Sequence, residues 1–307
     1  IVARNEAKRI NEMMPRLALV TILYQSDAVL DDFFRSLYAQ SYQSFTIYVV
    51  DNSASPQTDQ VLADCMNRYP LAGYHYINSG ANVGVAAGNN IGIRAALADQ
   101  ATHILLLNND IVFEQTDLLE RMLGLATAHA MITPKIFYYD TDLLWMAGGH
   151  MDHMRALGVH EGMKQKDSPA FSVSKPISYA PTCFLMVRAD VFSQTGLMDE
   201  SYFCYYDDTD FVWRAQCHGF DLWYDAGSSL RHKVSSSSGG DASPFYIYYA
   251  NRNKIYFIRK HYRFVKKIWL LAYTLLSRVV FYVRFDSVGR KKLTAGLKDG
   301  FRLPVTN

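Results

Sequence analysis

The chain has 307 residues, of which 50% are hydrophobic and 20% are charged, a composition typical of a globular protein. This composition excludes collagen-like, disordered and small disulfide-framework proteins. The net charge of +2 hides an uneven distribution. Residues 1–251 carry 17 Lys and Arg against 27 Asp and Glu, and residues 252–307 carry 14 against 2, so the two parts have charges of −10 and +12. A basic tail on an acidic body indicates an anionic partner, with lipid headgroups and nucleic acid as the candidates.

Three features bear on compartment and membrane targeting. Residues 1–16 are charged and lack the apolar core of a signal peptide. The four cysteines are scattered, without a CxxC pair or zinc spacing, which is typical of free thiols in a reducing compartment. The longest apolar run, residues 268–283, contains Arg278 and is shorter than the ~18 residues expected of a spanning helix. We therefore expect a cytoplasmic protein without a membrane span.

Residues 17–108 alternate short apolar runs with longer helical patterns. The runs LALVTILY, FTIYVVD, GYHYIN and THILLLN predict four strands, which end at Tyr24, Asp51, Asn78 and Asn108. The stretches between them are long enough for helices over residues 27–40, 57–69 and 86–98. Such a βαβαβαβ series predicts a largely parallel sheet, which binds ligands beyond the carboxyl ends of its strands.

From about residue 114 the pattern becomes irregular and predicts a mixed α+β half. A helix is expected to about residue 130, a strand over ISYAPTCFLMVR (177–188), and a further helix over residues 209–218. The polar SSSSGG (235–240) has the composition of a mobile loop. After it the chain becomes helical and basic.

The glycines argue against a dinucleotide-binding domain. Such a domain needs GxGxxG directly after the first strand, where the chain instead reads YQSDAVL. The glycine-rich segment comes later, as NSGANVGVAAGNNIG, and matches neither GxGxxG nor the GxxxxGK[ST] of a P-loop.

Two carboxylates follow predicted strands. In LLLNND, Asp110 comes directly after a hydrophobic run, where a carboxylate could hold Mg²⁺ or Mn²⁺ together with substrate phosphates and water. The alternative is a solvated turn with an Asx cap. The same two interpretations apply to Asp51.

A third group of carboxylates lies in MDESYFCYYDDTDFVWRAQCHGF, where Asp207, Asp208 and Asp210 are crowded among aromatic residues. Carboxylates held against apolar rings tend to have a raised pKa, which suits a general base. The alternative is that one of them caps the helix that follows. His232, in SLRHKVSSSS, is on its own more typical of a surface or core residue than of a ligand.

Taken in order, these segments carry a family resemblance. VVDNSAS, NSGANVGVAAGNNIGIRAAL, LLLNND, the acidic run with WRAQCHGF, H-x-x-S-S at His232, and YYANRNKIYFIRKHY span residues 17–262. They resemble a family 2 glycosyltransferase with the GT-A fold, and more narrowly the rhamnosyltransferase-like branch that extends bacterial surface polysaccharides such as O-antigen.

The resemblance implies a fold and a domain organisation. The class is α/β, with a Rossmann-like nucleotide-sugar-binding half over residues 17–125 merged with a mixed α+β acceptor-binding and catalytic half over residues 126–243. An N-terminal extension (1–16) precedes them, and a basic helical region (244–307) follows.

The resemblance also implies residue roles. Asp208 would be the catalytic base, with Asp207 and Trp213 on the acceptor side. Asp110 and His232 would hold Mg²⁺ or Mn²⁺, although Asn108 replaces the first Asp of the family's DxD motif. Contacts to the donor are implied for Tyr24, Asp51, Asn82, Asn108, Asn109 and Arg252.

The expected activity is inverting, metal-dependent transfer of a sugar, rhamnose by branch resemblance, from a dTDP- or UDP-linked donor to a growing, lipid-linked glycan. A sugar nucleotidyltransferase and a non-catalytic nucleic-acid-binding protein are the alternatives. The first would have no catalytic need for the region between Asp208 and His232. The second lacks any recognised nucleic-acid module, and its acidic body would repel phosphates, so we expect no nucleic-acid partner.

The basic tail fits the same expectation. Residues 259–302 place Lys and Arg around an apolar stretch, as interfacial helices do, which predicts peripheral attachment to an anionic surface at the inner face of the cell membrane. A core-packing helix or an oligomer contact is the alternative.

Overall fold

The computed structural model describes residues 15–53, 55–234 and 243–305. Nearly all of the N-terminal extension and the whole SSSSGG segment lie outside these ranges, as do the expectations made for them.

The described strands are β1 (Leu17–Leu23), β2 (Phe45–Asp51), β3 (Gly73–Asn78), β4 (His103–Leu107), β5 (Ile111–Val112), β6 (Met131–Tyr138), β7 (Leu144–Met146), β8 (Gly149–Asp152), β9 (Leu157–His160), β10 (Lys175–Pro176), β11 (Phe184–Arg188) and β12 (Leu222–His232). The α-helices are α1 (Asp27–Tyr38), α2 (Pro56–Arg68), α3 (Gly84–Ala98), α4 (Leu118–Leu125), α5 (Ala189–Thr195), α6 (Asp207–Cys217), α7 (Pro244–His261), α8 (Phe264–Arg284) and α9 (Ser287–Arg302). Short 3₁₀ turns occupy Pro169–Phe171 and Glu200–Tyr202.

Ten of these strands form one sheet in the order β10-β12-β6-β11-β4-β1-β2-β3, with β5 paired to β12 and β7 paired to β6. Strands β3, β2, β1 and β4 are parallel, as the βαβ series predicts. Strand β11 runs antiparallel to both β4 and β6, and β12 is parallel to β6. The carboxyl ends of β6 and β12 therefore lie at the same edge as those of β1–β4.

The sheet is covered by apolar residues on both faces. Alternate residues of β1 point to opposite sides: Leu17 and Leu19 join the core cluster that contains α1, and Ala18 and Val20 join the one that contains α3. Because the same sheet continues through β11, β6 and β12, the boundary predicted at residue 125 does not separate two sheets.

One predicted strand is shorter in the structure. Regular pairing starts at Phe184 and not at Ile177, because residues 177–183 form a loop around Pro181, which has no backbone N–H to donate to a neighbouring strand. The helix predicted over residues 114–130 likewise covers only Leu118–Leu125.

The C-terminal helices differ from one another in burial. Helix α9 packs closely on α7, since an added Cβ at Gly296 or Gly300 would lie 2.5 Å from a carbonyl oxygen of α7. Helix α8 is buried at Leu270 and Thr274 only. Its other faces expose large apolar side chains, including Phe264, Val265, Ile268, Trp269, Leu276, Val279 and Val283. Within residues 15–305 as described, no helix has both the length and the apolar content to cross a membrane.

Candidate functional site

Asp110 and His232 meet at the carboxyl edge of the sheet. Strand β12 pairs with β5 so that His232 lies opposite Ile111, next to Asp110. The Nε2 of His232 is 3.0 Å from Oδ1 of Asp110, and the side chains of both residues are largely buried. The backbone N of Lys233 donates to the carbonyl oxygen of Asp110 (2.7 Å), which holds the two segments together. Two residues 122 apart in the chain are thereby placed side by side.

This pair fits a hard divalent cation. It offers one carboxylate and one imidazole, and the buried Nδ1 of His232 has no hydrogen-bond partner in the described part of the chain. The described residues of the chain contain no cluster of three or more His, Cys, Asp or Glu side chains placed to hold a metal. A cation that takes few protein ligands and completes its shell with substrate oxygens and water matches such a set.

Asp208 lies in the first turn of α6 and faces the loop before β11. The hydroxyl of Tyr179 donates to its Oδ2 (2.9 Å), and the backbone N of Thr209 donates to its Oδ1 (2.5 Å). Burial raises the pKa of Asp208, and these hydrogen bonds offset the effect only in part. Burial and the neighbouring charge of Asp208 also raise the pKa of Asp207 well above its usual range. A carboxylate with a raised pKa is suited to accept a proton.

Asp210, two residues further on, is in the opposite situation. Its carboxylate is fully buried between Arg214 (2.7 Å), Lys260 (2.9 Å) and His261 (2.6 Å). Burial alone would raise its pKa, but the hydrogen bond from His261 and the charges of Arg214 and Lys260 hold it well below the usual range. Asp210 is therefore a structural anion of this helix.

The segment before α6 has an unusual backbone. Phe203, Tyr205 and Tyr206 all have positive φ, near 65°, a region that costs side-chain-bearing residues energy unless the surroundings hold it. The buried amide of Asn253 on α7 donates to the carbonyl oxygens of Tyr202, Cys204 and Tyr205 at 2.8–2.9 Å. Helix α7 therefore fixes the loop that delivers Asp207 and Asp208.

The N-cap of α6 is Tyr206, whose side chain makes no capping bond. No aspartate of this cluster therefore occupies the N-cap position, but Asp207 is the first residue of the helix, and Asp208 accepts the first-turn N–H of Thr209.

An aromatic bridge connects the two groups of carboxylates. The ring of Trp145 packs edge-on against His232 (centroids 4.7 Å apart) and against His160 (4.3 Å). His160 in turn stacks on Tyr179 (5.7 Å), the donor to Asp208. Burial lowers the pKa of His160 to about 4, so its ring is neutral at pH 7.

A cleft of about 610 Å³ opens at the ends of β1 and β2. It is lined by Tyr24, Gln25, Asp27, Ala28, Asn52, Ser53, Ser55, Gln57, Thr58, Ala81 and Asn82. Asp51 lies under this cleft, where its carboxylate accepts from the backbone N of Ser53 (2.7 Å) and the hydroxyl of Tyr76 (2.9 Å). Tyr24 and Asn82 thus lie where a nucleotide could contact them.

Three other residues with predicted roles are placed as follows. Asn108 is exposed next to Asp110. Asn109 is buried, and its amide donates to the carbonyl oxygen of Ile22 (2.6 Å), so it ties β4 to β1. Trp213 packs edge-on against Phe257 and against His153 of the β8–β9 hairpin.

Arg252 requires a correction. The resemblance implies a contact to the donor, but its guanidinium is buried and donates from Nη2 to the carbonyl oxygens of Ser201 and Tyr202, both at 2.6 Å. It supports the same loop as Asn253.

Sequence reasoning missed four residues of the site: Trp145, His160, Tyr179 and Asn253. None follows a strand end or belongs to an acidic run, so no local pattern marks Trp145, His160 or Tyr179. The neighbouring polar pair in NRN of α7 was the one available signal for Asn253.

The glycine-rich segment meets the loop before α6 at Gly84, the first residue of α3. Gly84 has φ +86°, and an added Cβ would lie 2.5 Å from the carbonyl oxygen of Phe203. The glycine-rich segment therefore serves close packing against the strained loop.

Comparison with known proteins identifies the family of the chain. The sequence model of the family described as Glycosyl transferase family 2 matches residues 18–196. The chain is 25% identical over 279 residues to the low-salt glycan biosynthesis hexosyltransferase Agl10 of Haloferax volcanii, covering 90% of this chain and 85% of the relative. It is also 25% identical over 228 residues to the dTDP-rhamnosyl transferase RfbF of Shigella flexneri, covering 72% and 73%. Among solved structures, the mannosyltransferase PcManGT of Pyrobaculum calidifontis, in complex with GDP-Man and Mn²⁺, superposes with a TM-score of 0.58 at 10% identity, covering 98% of this chain and 93% of that one.

The architecture and the site define a glycosyltransferase of the GT-A fold. The chain belongs to glycosyl transferase family 2, whose model covers more than half of it, and it acts on nucleotide sugars. The predicted fold class and enzyme class are confirmed.

Proposed function

We propose that this chain is an inverting, metal-dependent glycosyltransferase that moves rhamnose from a dTDP- or UDP-linked donor to a lipid-linked glycan in surface-polysaccharide synthesis. One observation carries the proposal. The Asp110–His232 pair and the Tyr179-held carboxylate of Asp208 lie at the same sheet edge as the cleft at β1 and β2.

Asp110 and Asp208 both act on the buried thiol of Cys183. Burial first, and then the charges of these two carboxylates, raise the pKa of Cys183 well above its usual range. Cys183 thus lies within electrostatic range of both the proposed cation site and the proposed base.

The reaction follows from these positions. Asp208 accepts the proton of the acceptor hydroxyl, whose oxygen forms a bond to the anomeric carbon while the bond to the nucleoside diphosphate breaks on the opposite face. This direct displacement needs no covalent nucleophile and inverts the anomeric configuration. A divalent cation on Asp110 and His232 would neutralise the charge that develops on the leaving phosphates. Tyr179 and Thr209 hold Asp208 in one orientation throughout.

The donor assignment rests on two kinds of support. The dTDP-rhamnosyl transferase among the relatives favours rhamnose and a thymine nucleotide. The cleft offers Tyr24 as an exposed aromatic face and Ser53, Ser55 and Asn82 as polar groups for a nucleoside, a combination suited to a base and a ribose.

The membrane part of the proposal rests on α8. Its exposed apolar side chains are flanked by basic residues at both ends, including Arg263, Lys266, Lys267 and Arg284. An exposed apolar helix face with basic residues at both ends fits the boundary between acyl chains and anionic headgroups. A lipid-linked acceptor would be presented at that boundary.

The activity is tested by incubating the chain with dTDP- and UDP-sugars, Mn²⁺ or Mg²⁺, and a polyprenyl-linked glycan. We expect release of a nucleoside diphosphate and a glycan extended with inverted linkage. Release of pyrophosphate would identify a nucleotidyltransferase, and no product with any donor would refute the proposal.

Membrane attachment is tested by flotation with vesicles that contain phosphatidylglycerol. Ile268→Glu with Leu276→Glu should abolish binding, because both side chains are more than two-thirds exposed on α8 and a buried carboxylate in an apolar boundary is costly. Val173→Glu, at an exposed position outside the basic helices, is the matched control. Equal flotation of all three proteins would end the membrane proposal.

A further inference from the structure

A group of basic side chains lies where the β8–β9 hairpin, α7 and α8 meet. Its centre is Lys254, which is only 3% exposed. In the described part of the chain its ammonium makes no hydrogen bond or ion pair, and its nearest aromatic contact is the ring of Tyr273, 5.9 Å away. A buried ammonium without a partner anion is costly, and native proteins seldom keep one without a use.

Two further polar groups lie on α8, the helix that carries Tyr273. Arg278 lies on the inward face of α8 and donates from Nε to Oδ1 of Asn251 on α7. Thr274, one helical turn before it, is fully buried, and its hydroxyl has no hydrogen-bond partner among the described residues. An ammonium, a guanidinium and a free hydroxyl are the donors that bind phosphate groups.

The charge around Lys254 is not balanced. Arg155 and Arg278 act on it as like charges, and Asp152 is the acidic group that acts on it. Asp152 is already bound to Arg155, at 2.5 Å between Oδ2 and Nε. Burial and the two arginines lower the pKa of Lys254 to about 8, so most of the ammonium stays protonated at pH 7. The site therefore has an excess of positive charge that one bound anion would compensate.

Its position relates it to the acceptor. The hydroxyl of Tyr206 donates to the carbonyl oxygen of Ala156 in the β8–β9 turn (3.0 Å), and Tyr206 directly precedes Asp207. Arg278 acts electrostatically on the same hydroxyl. On its outward side, α8 carries the apolar face described above. The basic group thus lies between the loop of the proposed base and the proposed membrane-facing helix.

We propose that Lys254, Arg278 and Thr274 form a binding site for a phosphate ester at the membrane surface, and that this ester is the phosphate that links the acceptor glycan to its lipid. The proposal rests on the proposed function for the identity of that ester. The headgroup of an anionic lipid shares the same chemistry and is the other source.

The site is tested by binding, without donor and with a metal chelator present, so that the nucleotide site does not contribute. Neutral phosphatidylcholine vesicles carry either polyprenyl phosphate or phosphatidylglycerol, and association is measured by flotation. The variants are Lys254→Met and Thr274→Val. The control is Lys291→Met, which removes one exposed charge from α9.

We expect Lys254→Met to weaken association with polyprenyl phosphate vesicles by about 10- to 100-fold, the usual size of a lost hydrogen bond to a charged group. Lys291→Met should have a much smaller effect. Thermal unfolding should show that Lys254→Met is at least as stable as the wild type, because an uncompensated buried charge has been removed.

Selective loss on polyprenyl phosphate assigns the site to the acceptor, and equal loss on both vesicles assigns it to lipid headgroups. Wild-type binding by Lys254→Met on both vesicles would overturn the site, as would a large loss of stability in that variant. This experiment measures binding and not sugar transfer. Its result can therefore be interpreted even if the proposed function is wrong.

Discussion

The proposed donor side and the proposed acceptor side of the site are built in different ways. On the proposed donor side, Tyr24 and Asp110 follow the ends of parallel strands and Asp51 is the last residue of one, and the regular sheet brings them to one edge. On the acceptor side, Asp208 follows a loop with three positive-φ residues that is held by Asn253 from a distant helix. Local sequence patterns are enough to specify the regular sheet, whereas the strained loop depends on hydrogen bonds from a helix that is distant in the chain.

The same contrast exists within the first turn of α6. Asp208 and Asp207 have pKa values raised by burial, and Asp210 has a pKa lowered by its hydrogen bond from His261 and by the charges of Arg214 and Lys260. Three aspartates within four residues therefore divide into a pair with raised pKa values and a structural anion. Their surroundings, and not their residue type, decide between these roles.

The largest effect is expected at Asp208. Asp208→Asn should lower kcat by ~10² to 10⁴, the usual contribution of a general base. Because burial raises the pKa of Asp208, wild-type kcat should fall on acidification at a pH above the ordinary aspartate range near ~3.9. Steady-state release of nucleoside diphosphate measures both. Near wild-type turnover of the variant would remove Asp208 from this role.

The next largest effect is expected at Asp110, one of the two proposed ligands of the cation. Asp110→Asn should weaken Mn²⁺-dependent binding of dTDP or UDP by at least ~10-fold, since even outer-shell substitutions at metal sites cost about 10- to 100-fold in affinity. Thermal shift with and without Mn²⁺ measures this. The control is Asp142→Asn, whose side chain is 95% exposed. Identical Mn²⁺ dependence in both variants would exclude Asp110 as a ligand.

The support from α7 should matter for stability as well as for catalysis. Asn253→Ala removes a buried amide that donates to three carbonyl oxygens, so we expect a loss of roughly 1–3 kcal/mol in the free energy of unfolding and a lower kcat. Urea unfolding gives the first quantity. Asn67→Ala on the exposed face of α2 is the matched control and should change stability by less than about 0.5 kcal/mol. If both variants unfold alike, Asn253 does not hold the loop.

The smallest effect separates the two kinds of aspartate. A carboxyl with a raised pKa binds more protons in the folded state, so folding gains stability as the pH falls through that pKa, and the gain is complete below the unfolded value of ~3.9. Asp207→Asn removes the cost of this charge and should raise Tm at pH 7 by about 1–3 °C.

This advantage should disappear near about pH 4, where the wild-type carboxyl is also protonated. Asp210 has the opposite sign, because the stability from a lowered pKa is present above the unfolded value and is lost as the pH falls through the folded one. Asp210→Asn should therefore lower Tm at pH 7. A Tm change of the same sign in both variants would contradict the opposite pKa shifts of Asp207 and Asp210.

Local sequence determined the parallel half of the fold. The alternation of strand and helix patterns predicted β1–β4 within one residue at their ends, and with them the places of Asp51 and Asp110. Hydrophobic periodicity and strand-end polarity suffice there because each βαβ unit is specified by neighbouring residues. The acidic run similarly marked Asp207 and Asp208 as candidates.

Tertiary structure decided what the sequence left open. The pairing of His232 with Asp110 depends on β12 lying beside β5, 122 residues away in the chain, and no spacing rule predicts it. The expectation for Arg252 was wrong. Residue type alone does not tell whether a guanidinium binds a ligand or donates to carbonyl oxygens of its own chain. Which aspartate has a raised pKa and which a lowered one depends on burial and on neighbours such as Lys260 of α7, and these are set only when the chain is folded.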